Sequence, residues 1–113
     1  MKQTIPKVHN IYIGTKAAKG KELFETLVEK NSVLKIEKIV SNAARSPEGF
    51  WYCQKQDEFV LLLQGKAELL FEKRKTVKLK KGDYIFIPRR VKHRIERTSS
   101  KPECIWLTVF GKF

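Results

Sequence analysis

The chain has 113 residues, a length that closes around a single hydrophobic core in most globular proteins. Hydrophobic residues make up 42% of it and charged residues 32%, which is globular composition and excludes a disordered or low-complexity chain. Its 24 Lys and Arg outnumber 12 Asp and Glu and give a formal net charge of +12, so an acidic partner has to be considered.

Residues 1–32 are predicted to form an arm followed by one short helix. From Lys21 the apolar residues fall at positions i, i+1, i+4 and i+5, which places them on one face of a helix of about two turns. These residues are Leu23, Phe24, Leu27 and Val28. The first residues carry charge but no apolar stretch behind it, and the longest apolar run, 59–63, is far below the ~20 residues of a membrane-spanning helix. We therefore expect a single cytoplasmic domain over 1–113 that does not cross a membrane.

Residues 33–110 are predicted to form a β-barrel. Short apolar or alternating segments follow one another with turn residues such as Ser46-Pro47-Glu48-Gly49 and Lys81-Gly82-Asp83 between them. Many short strands at such spacing indicate a sandwich or barrel. The predicted strands are 33–41, 50–54, 58–64, 67–72, 76–80, 84–87, 91–98 and 104–110.

Two ionisable side chains are predicted to point into the barrel. Alternation places Glu58 on the same face as Val60 and Leu62, and it places His93 on the face of Ile95. A buried carboxylate or imidazole without a partner costs several kcal/mol, so we expect these groups to meet a wet pocket, a metal ion or each other. An ordinary structural role, in which His93 has one hydrogen bond and Glu58 one salt bridge, is the alternative.

Two stretches resemble the sequence motifs of cupins. Glu58 and Gly65 stand in the register of the first motif, Gly-x5-His-x-His-x(3,4)-Glu-x6-Gly. Gly82, Pro88 and His93 stand in the register of the second, Gly-x5-Pro-x-Gly-x2-His-x3-Asn. Residues 46–65 are similar to small bacterial single-domain cupins of the mannose-6-phosphate isomerase-like group. The resemblance implies an all-β fold, the double-stranded β-helix or jelly-roll barrel, with the short N-terminal helix added to it. It also implies a homodimer, because cupins often pair through an exchanged or adjacent strand.

The same resemblance implies a degenerate metal centre. Cupins usually hold a divalent metal with three histidines and one glutamate, and only Glu58 and His93 match that set. The places of the first motif's histidines fall on Trp51 and Cys53, or on Tyr52 and Gln54. Cys53 or Gln54 is the candidate third ligand for Zn, Fe, Mn or Ni.

These residues suggest that the protein binds a small polar ligand, anionic in character, in the barrel pocket. Arg90 and Arg97 replace the Gly and Asn of the second motif and offer guanidinium groups near His93. With them we count Tyr52, Gln54 and Trp106 as candidate ligand-binding residues, although aromatic residues more often belong to the core. The main alternative is a metal-dependent isomerase or oxygenase with Glu58 and His93 as catalytic groups.

Nucleic acid is a further alternative partner. Residues 73–97 hold eleven basic and two acidic residues, so this segment carries +9 of the net charge. No recognition-helix, zinc-finger or RNP-like pattern accompanies it, and lysines at strand edges commonly serve solubility alone. Nucleic-acid binding through residues 73–97 therefore stays the second alternative, after the metal-dependent enzyme.

Overall fold

The computed structural model describes residues 5–113, which form eight β-strands in two antiparallel sheets. The five-stranded sheet has the order β1-β2-β8-β3-β6, and the three-stranded sheet has the order β5-β4-β7. In the described part of the chain the single helical element is a 3-10 turn at Glu72–Arg74. The strands are β1 Lys21–Lys30, β2 Leu34–Asn42, β3 Asp57–Gln64, β4 Lys66–Phe71, β5 Lys75–Lys80, β6 Tyr84–Ile87, β7 His93–Thr98 and β8 Cys104–Gly111.

The all-β jelly roll predicted from the sequence is confirmed, with one exception among its strands. Segment 50–54 is not a strand and contributes one isolated bridge, in which Tyr52 and His93 exchange backbone hydrogen bonds of 2.7 and 3.1 Å. Two residues further on, the Gln54 carbonyl accepts a hydrogen bond from the amide of Arg90. The segment is therefore tied to the start of β7 and to the turn before it without extending the sheet.

The predicted N-terminal helix is wrong, because residues 21–30 form β1 and pair with β2. The register of the pair shifts between Thr26 and Val28, where one extra residue forms a bulge. A bulge reverses the side-chain phase of a strand, so Leu23 and Val28 face the same side of the sheet although they are five residues apart. The spacing that resembles a helical period is thus produced by an irregular strand.

The core lies between the two sheets. Leu62 on β3 and Leu69 on β4 are buried within it, and Trp106 on β8 is 3% exposed. Gly65 turns the chain from one sheet to the other with a φ of +92°, and a Cβ there would lie 2.8 Å from Cys104 Sγ. This turn therefore requires glycine for its backbone angle and for its close contact with β8.

The N-terminal arm is fixed to the outside of the five-stranded sheet by a buried lysine. Lys38 Nζ donates hydrogen bonds to the carbonyls of Ile11 and Ile13, and it lies 3.3 Å from Glu25 Oε1. The side chain is 3% exposed, so these partners replace the water that its charge would otherwise bind. Within residues 5–113, no helix has the length and apolar character needed to cross a membrane.

Candidate functional site

A cavity of about 100 Å³ opens between the two sheets. Its walls come from the inward faces of β1, β2, β3, β4, β6, β7 and β8, together with Tyr52 and Gln54 of the bridging segment. Most of the lining is apolar, and the polar members stand out for that reason. The ionisable groups in the lining are Glu22, Glu37, Tyr52, Glu58 and His93.

Glu58 and His93 meet inside this cavity, as the alternation of their strands predicts. Glu58 lies at the start of β3, where it is hydrogen-bonded into the sheet between Ile87 and Phe110. His93 begins β7 opposite Phe71. The two residues are 7% and 6% exposed, and Glu58 Oε1 lies 3.5 Å from His93 Nε2.

The hydrogen bonding of His93 leaves two acceptor atoms facing each other. His93 Nδ1 lies 3.1 Å from the carbonyl oxygen of Val91, and a carbonyl only accepts, so Nδ1 carries the proton. In the neutral ring Nε2 is then an acceptor aimed toward a carboxylate. Glu58 Oε1 is buried and has no hydrogen-bond partner among the described residues. With the ring neutral, the pair lacks a donor between its two atoms.

Aromatic rings hold the imidazole in this orientation. The ring of Tyr52 stacks on His93 at 5.6 Å between centroids, and the ring of Phe71 lies at 5.8 Å. Phe50 contacts Tyr52 edge to face at 4.8 Å and covers it from outside. The His93 side chain is therefore positioned by packing as well as by its bond to Val91.

Two further carboxylates line the cavity, and the sequence analysis missed both. Ser41 Oγ donates a 2.5 Å hydrogen bond to Glu22 Oε2 and accepts one of 3.1 Å from Trp106 Nε1. Burial raises the pKa of Glu22, the Ser41 hydrogen bond opposes that effect, and the charge of Glu37 adds to it. Glu37 is 8% exposed and forms an ion pair of 3.2 Å with Lys35.

The sequence contains a signal for one of these two glutamates. Glu37 alternates with Ile39 and Ser41 on the inward face of a correctly predicted strand, so the period of two places it inside. Glu22 has no such signal, because the spacing from Lys21 onward predicts a helix where the structure has β1.

The remaining predicted ligand residues divide between the cavity and the surface. Tyr52, Gln54 and Trp106 line the cavity together with the Glu58 and His93 pair. Cys53 is exposed and its thiol points to the Arg90 carbonyl at 3.7 Å.

The two arginines lie outside the cavity. The Arg90 side chain is exposed, and Arg97 lies 3.8 Å from Glu68 in a separate groove. The cavity lining therefore has acidic side chains and neither of these arginines, which argues against the anionic ligand that the sequence suggested.

The residues present fit the metal centre of a cupin poorly. Glu58 and His93 supply two strong donors, and the Gln54 amide is the one further predicted ligand in the lining. Across residues 5–113, no group of three or more His, Cys, Asp or Glu side chains is arranged to hold a metal ion. Metal sites of this class need three or four protein ligands, so we derive no chemistry through a metal here.

Part of the basic segment lines the separate surface groove. Four basic residues reach this groove, and two acidic residues lie among them. Arg97 contacts Glu68, and Lys80 Nζ lies 3.4 Å from Asp83 Oδ1, so ion pairs engage part of the positive charge. The basic members are Lys66, Lys78, Lys80 and Arg97.

Comparisons with known proteins agree with this fold. The family model described as Cupin domain matches residues 43–110. A solved structure from Ralstonia eutropha JMP134, described as a "putative mannose-6-phosphate isomerase", is 33% identical, with 96% of this chain and 100% of that chain covered and a TM-score of 0.88. No curated protein matched the sequence.

More distant structures share the fold alone. A cupin superfamily protein from Desulfitobacterium hafniense DCB-2 is 17% identical, covers 87% of this chain and 84% of its own, and has a TM-score of 0.72. The polyketide cyclase RemF from Streptomyces resistomycificus is also 17% identical, with 95% and 79% covered and a TM-score of 0.71.

The two-sheet barrel and the family match define the class of protein. The match spans more than half of the chain, and the 33% identical structure covers nearly all of it. The chain belongs to the cupin family.

Proposed function

We propose that this cupin binds a small molecule in the cavity between its sheets, through a hydrogen-bond donor on the ligand. The observation that supports this most strongly is the buried Glu58 Oε1, which has no partner among the described residues. A buried polar atom left without a partner costs about 1–3 kcal/mol, and more when it is charged. A ligand N–H or O–H between Glu58 and His93 Nε2 removes that cost.

The walls of the cavity fit a ligand with an apolar body. Val60 on the five-stranded sheet and Leu69 on the three-stranded sheet both line the cavity, and the ring of Trp106 forms a further part of its wall. Burial of apolar ligand surface supplies affinity, while the two acceptor atoms fix the orientation of the donor. Glu58 and His93 also have the chemical groups needed for proton transfer. The pair supplies only two strong metal ligands, however, so we do not propose for this chain the isomerase activity in the relative's name.

Two probes of the same size test this proposal, and two further probes of that size test its finer form below. 2-Propanol and acetone have the same branched shape and differ in whether the oxygen donates a hydrogen bond. We expect 2-propanol to shift the indole N–H signal of Trp106 saturably in NMR titrations, and acetone to bind more weakly by about threefold or more. Equal binding of the two probes would show that the donor does not matter.

A variant pair connects this binding to the proposed atom. Glu58→Gln keeps the size of the side chain but offers its own N–H groups, so 2-propanol binding should weaken by about tenfold. Glu48→Gln changes an exposed acid outside the cavity and should leave binding unchanged. Equal affinities in both variants would place the binding elsewhere on the protein.

A homodimer remains the second part of the proposal. β1 lies at one edge of its sheet, and four of its apolar side chains are 39–52% exposed. An exposed apolar edge strand is a surface that another chain commonly covers. Leu23→Glu should shift the mass measured by light scattering from dimer to monomer, whereas Tyr84→Glu on the opposite edge strand should not. A wild-type monomer at micromolar concentration would contradict this part.

Cytoplasmic location and a single domain stay predictions from the sequence. The basic groove does not lead us to propose a nucleic-acid function, because acidic side chains pair with Arg97 and Lys80 within it.

A further inference from the structure

The cavity carries the opposite charge from the protein that encloses it. Its lining holds three glutamates and one histidine, and among the described residues no lysine or arginine lines it. Lys35 pairs with Glu37 at 3.2 Å but is not part of the lining. Ser41 bonds Glu22 without adding charge. A ligand that enters this space meets an excess of acceptors and of negative charge.

The three carboxylates act on one shared space. Burial raises the pKa of the Tyr52 hydroxyl, and the charges of Glu22, Glu58 and Glu37 raise it further. These glutamates come from β1, β3 and β2, so they approach Tyr52 along separate strands. Their negative potentials therefore add in the cavity, where low polarity strengthens them.

The shape of the lining separates two kinds of cation. A bare metal ion needs several donors converging on one point, and the described residues do not form such a cluster. An organic cation needs charge-assisted hydrogen bonds at its head and apolar surface around its body. Trp106 and Tyr52 provide that surface, whereas Lys35 Nζ already lies over the Phe110 ring at 6.0 Å. Aromatic faces attract a cation in addition.

We propose that the ligand of this cavity is a small primary ammonium compound whose N–H groups bind Glu58 Oε1 and His93 Nε2, with Glu22 and Glu37 supplying further negative charge. This inference rests on the proposed function and adds the charge of the ligand to it. One ammonium nitrogen can reach both acceptors, because they are 3.5 Å apart. The ion supplies the donor that the pair lacks when the imidazole is neutral.

The decisive test adds two probes to the pair used above. Isopropylammonium and acetate have the same branched shape as 2-propanol and carry charges of opposite sign. We expect isopropylammonium to bind about tenfold more tightly than 2-propanol, since charge-assisted hydrogen bonds are about twice as strong, and acetate to give no saturable shift of the Trp106 signal.

The outcomes distinguish this inference from the proposed function. If 2-propanol binds and isopropylammonium binds no more tightly, the ammonium assignment is wrong and the proposed function stands. If acetate binds best, the assignment is wrong as well. If neither 2-propanol nor isopropylammonium binds, both proposals fall.

Variants of Glu22 and Glu37 test the added charge. Glu37→Gln and Glu22→Gln should each weaken isopropylammonium binding by about threefold or more beyond any change in 2-propanol binding, because only the charged probe responds to the lost charge. Glu29→Gln removes an exposed acid from β1 outside the cavity and should change neither affinity. Equal losses for both probes at Glu37 would indicate a change of shape and contradict the electrostatic role.

Discussion

The cavity and the basic surface groove differ in the sign of their charge. The groove presents Lys66, Lys78, Lys80 and Arg97, as expected for a chain with a net charge of +12. The cavity presents three glutamates and a histidine. Net charge describes the solvated surface, where most charged residues lie, and it says little about a small enclosed site. The ligand class has to be inferred from the lining, and the following predictions separate interior from exterior effects.

The largest expected difference concerns two glycines with the same backbone angle. Gly65→Ala strains a left-handed backbone and presses a Cβ to 2.8 Å from Cys104 Sγ, so it should lower the free energy of unfolding by about 3 kcal/mol. Gly82 has a φ of +90° with open space around it, and Gly82→Ala should cost only about 1 kcal/mol. Urea unfolding measures the free energy of unfolding of both variants. Equal losses of stability would mean that the contact between Gly65 and β8 is not tight.

The next effect tests the hydrogen-bonded wall of the cavity. Ser41 is fully buried, and Ser41→Ala leaves Glu22 Oε2 and Trp106 Nε1 without their shared partner. We expect a loss of about 1–3 kcal/mol in the free energy of unfolding. Ser32→Ala changes an exposed serine and serves as the control, with no measurable loss. A silent Ser41→Ala would show that water replaces the hydroxyl.

A pH series tests the burial of Glu22. Burial raises its pKa above the ordinary value of 4.5, so the native protein keeps this proton to higher pH than the unfolded chain does. Native stability therefore declines as pH rises from about 4.5 through the folded-state pKa. Gln does not ionise, so the Tm of Glu22→Gln relative to wild type should increase over that interval. A flat Glu22→Gln difference over that interval would contradict the assignment.

The smallest effect concerns the residue that replaces a motif glycine. Arg90 has a φ of +70°, a left-handed angle that costs a non-glycine residue about 1–2 kcal/mol. Glycine removes that strain but gives the unfolded chain more freedom, worth about 0.5–1 kcal/mol, so Arg90→Gly should stabilise by roughly 0.5 kcal/mol. Arg89→Gly, at a neighbouring exposed position without a positive φ, should destabilise the protein. A loss of stability in Arg90→Gly would show that its side chain contributes contacts.

The sequence predicted those elements whose signals are local. Strand β3 and the start of β7 show regular alternation, and this was enough to place Glu58 and His93 inside one cavity. The motif register added the glycine turn at Gly65 and the unusual position of Arg90.

The predictions that were wrong concern features that depend on residues distant in the sequence. Strand β1 takes its conformation from pairing with β2, and its bulge produces a spacing that resembles a helix, so the local pattern misled. The loss of β1 removed Glu22 from consideration and left the sign of the cavity charge unrecognised. Arg97 follows His93 closely in sequence, yet the pairing of β7 with β4 shifts register between Ile95 and Arg97, and Arg97 lies at another surface.

A crystal structure grown with isopropylammonium chloride tests the central claim most directly. The account predicts the ammonium nitrogen within hydrogen-bond distance of Glu58 Oε1 and His93 Nε2, with its methyl groups toward Trp106. An empty acceptor pair at saturating ligand, an anion in the cavity, or a lysine or arginine side chain bonded to Glu58 would contradict it.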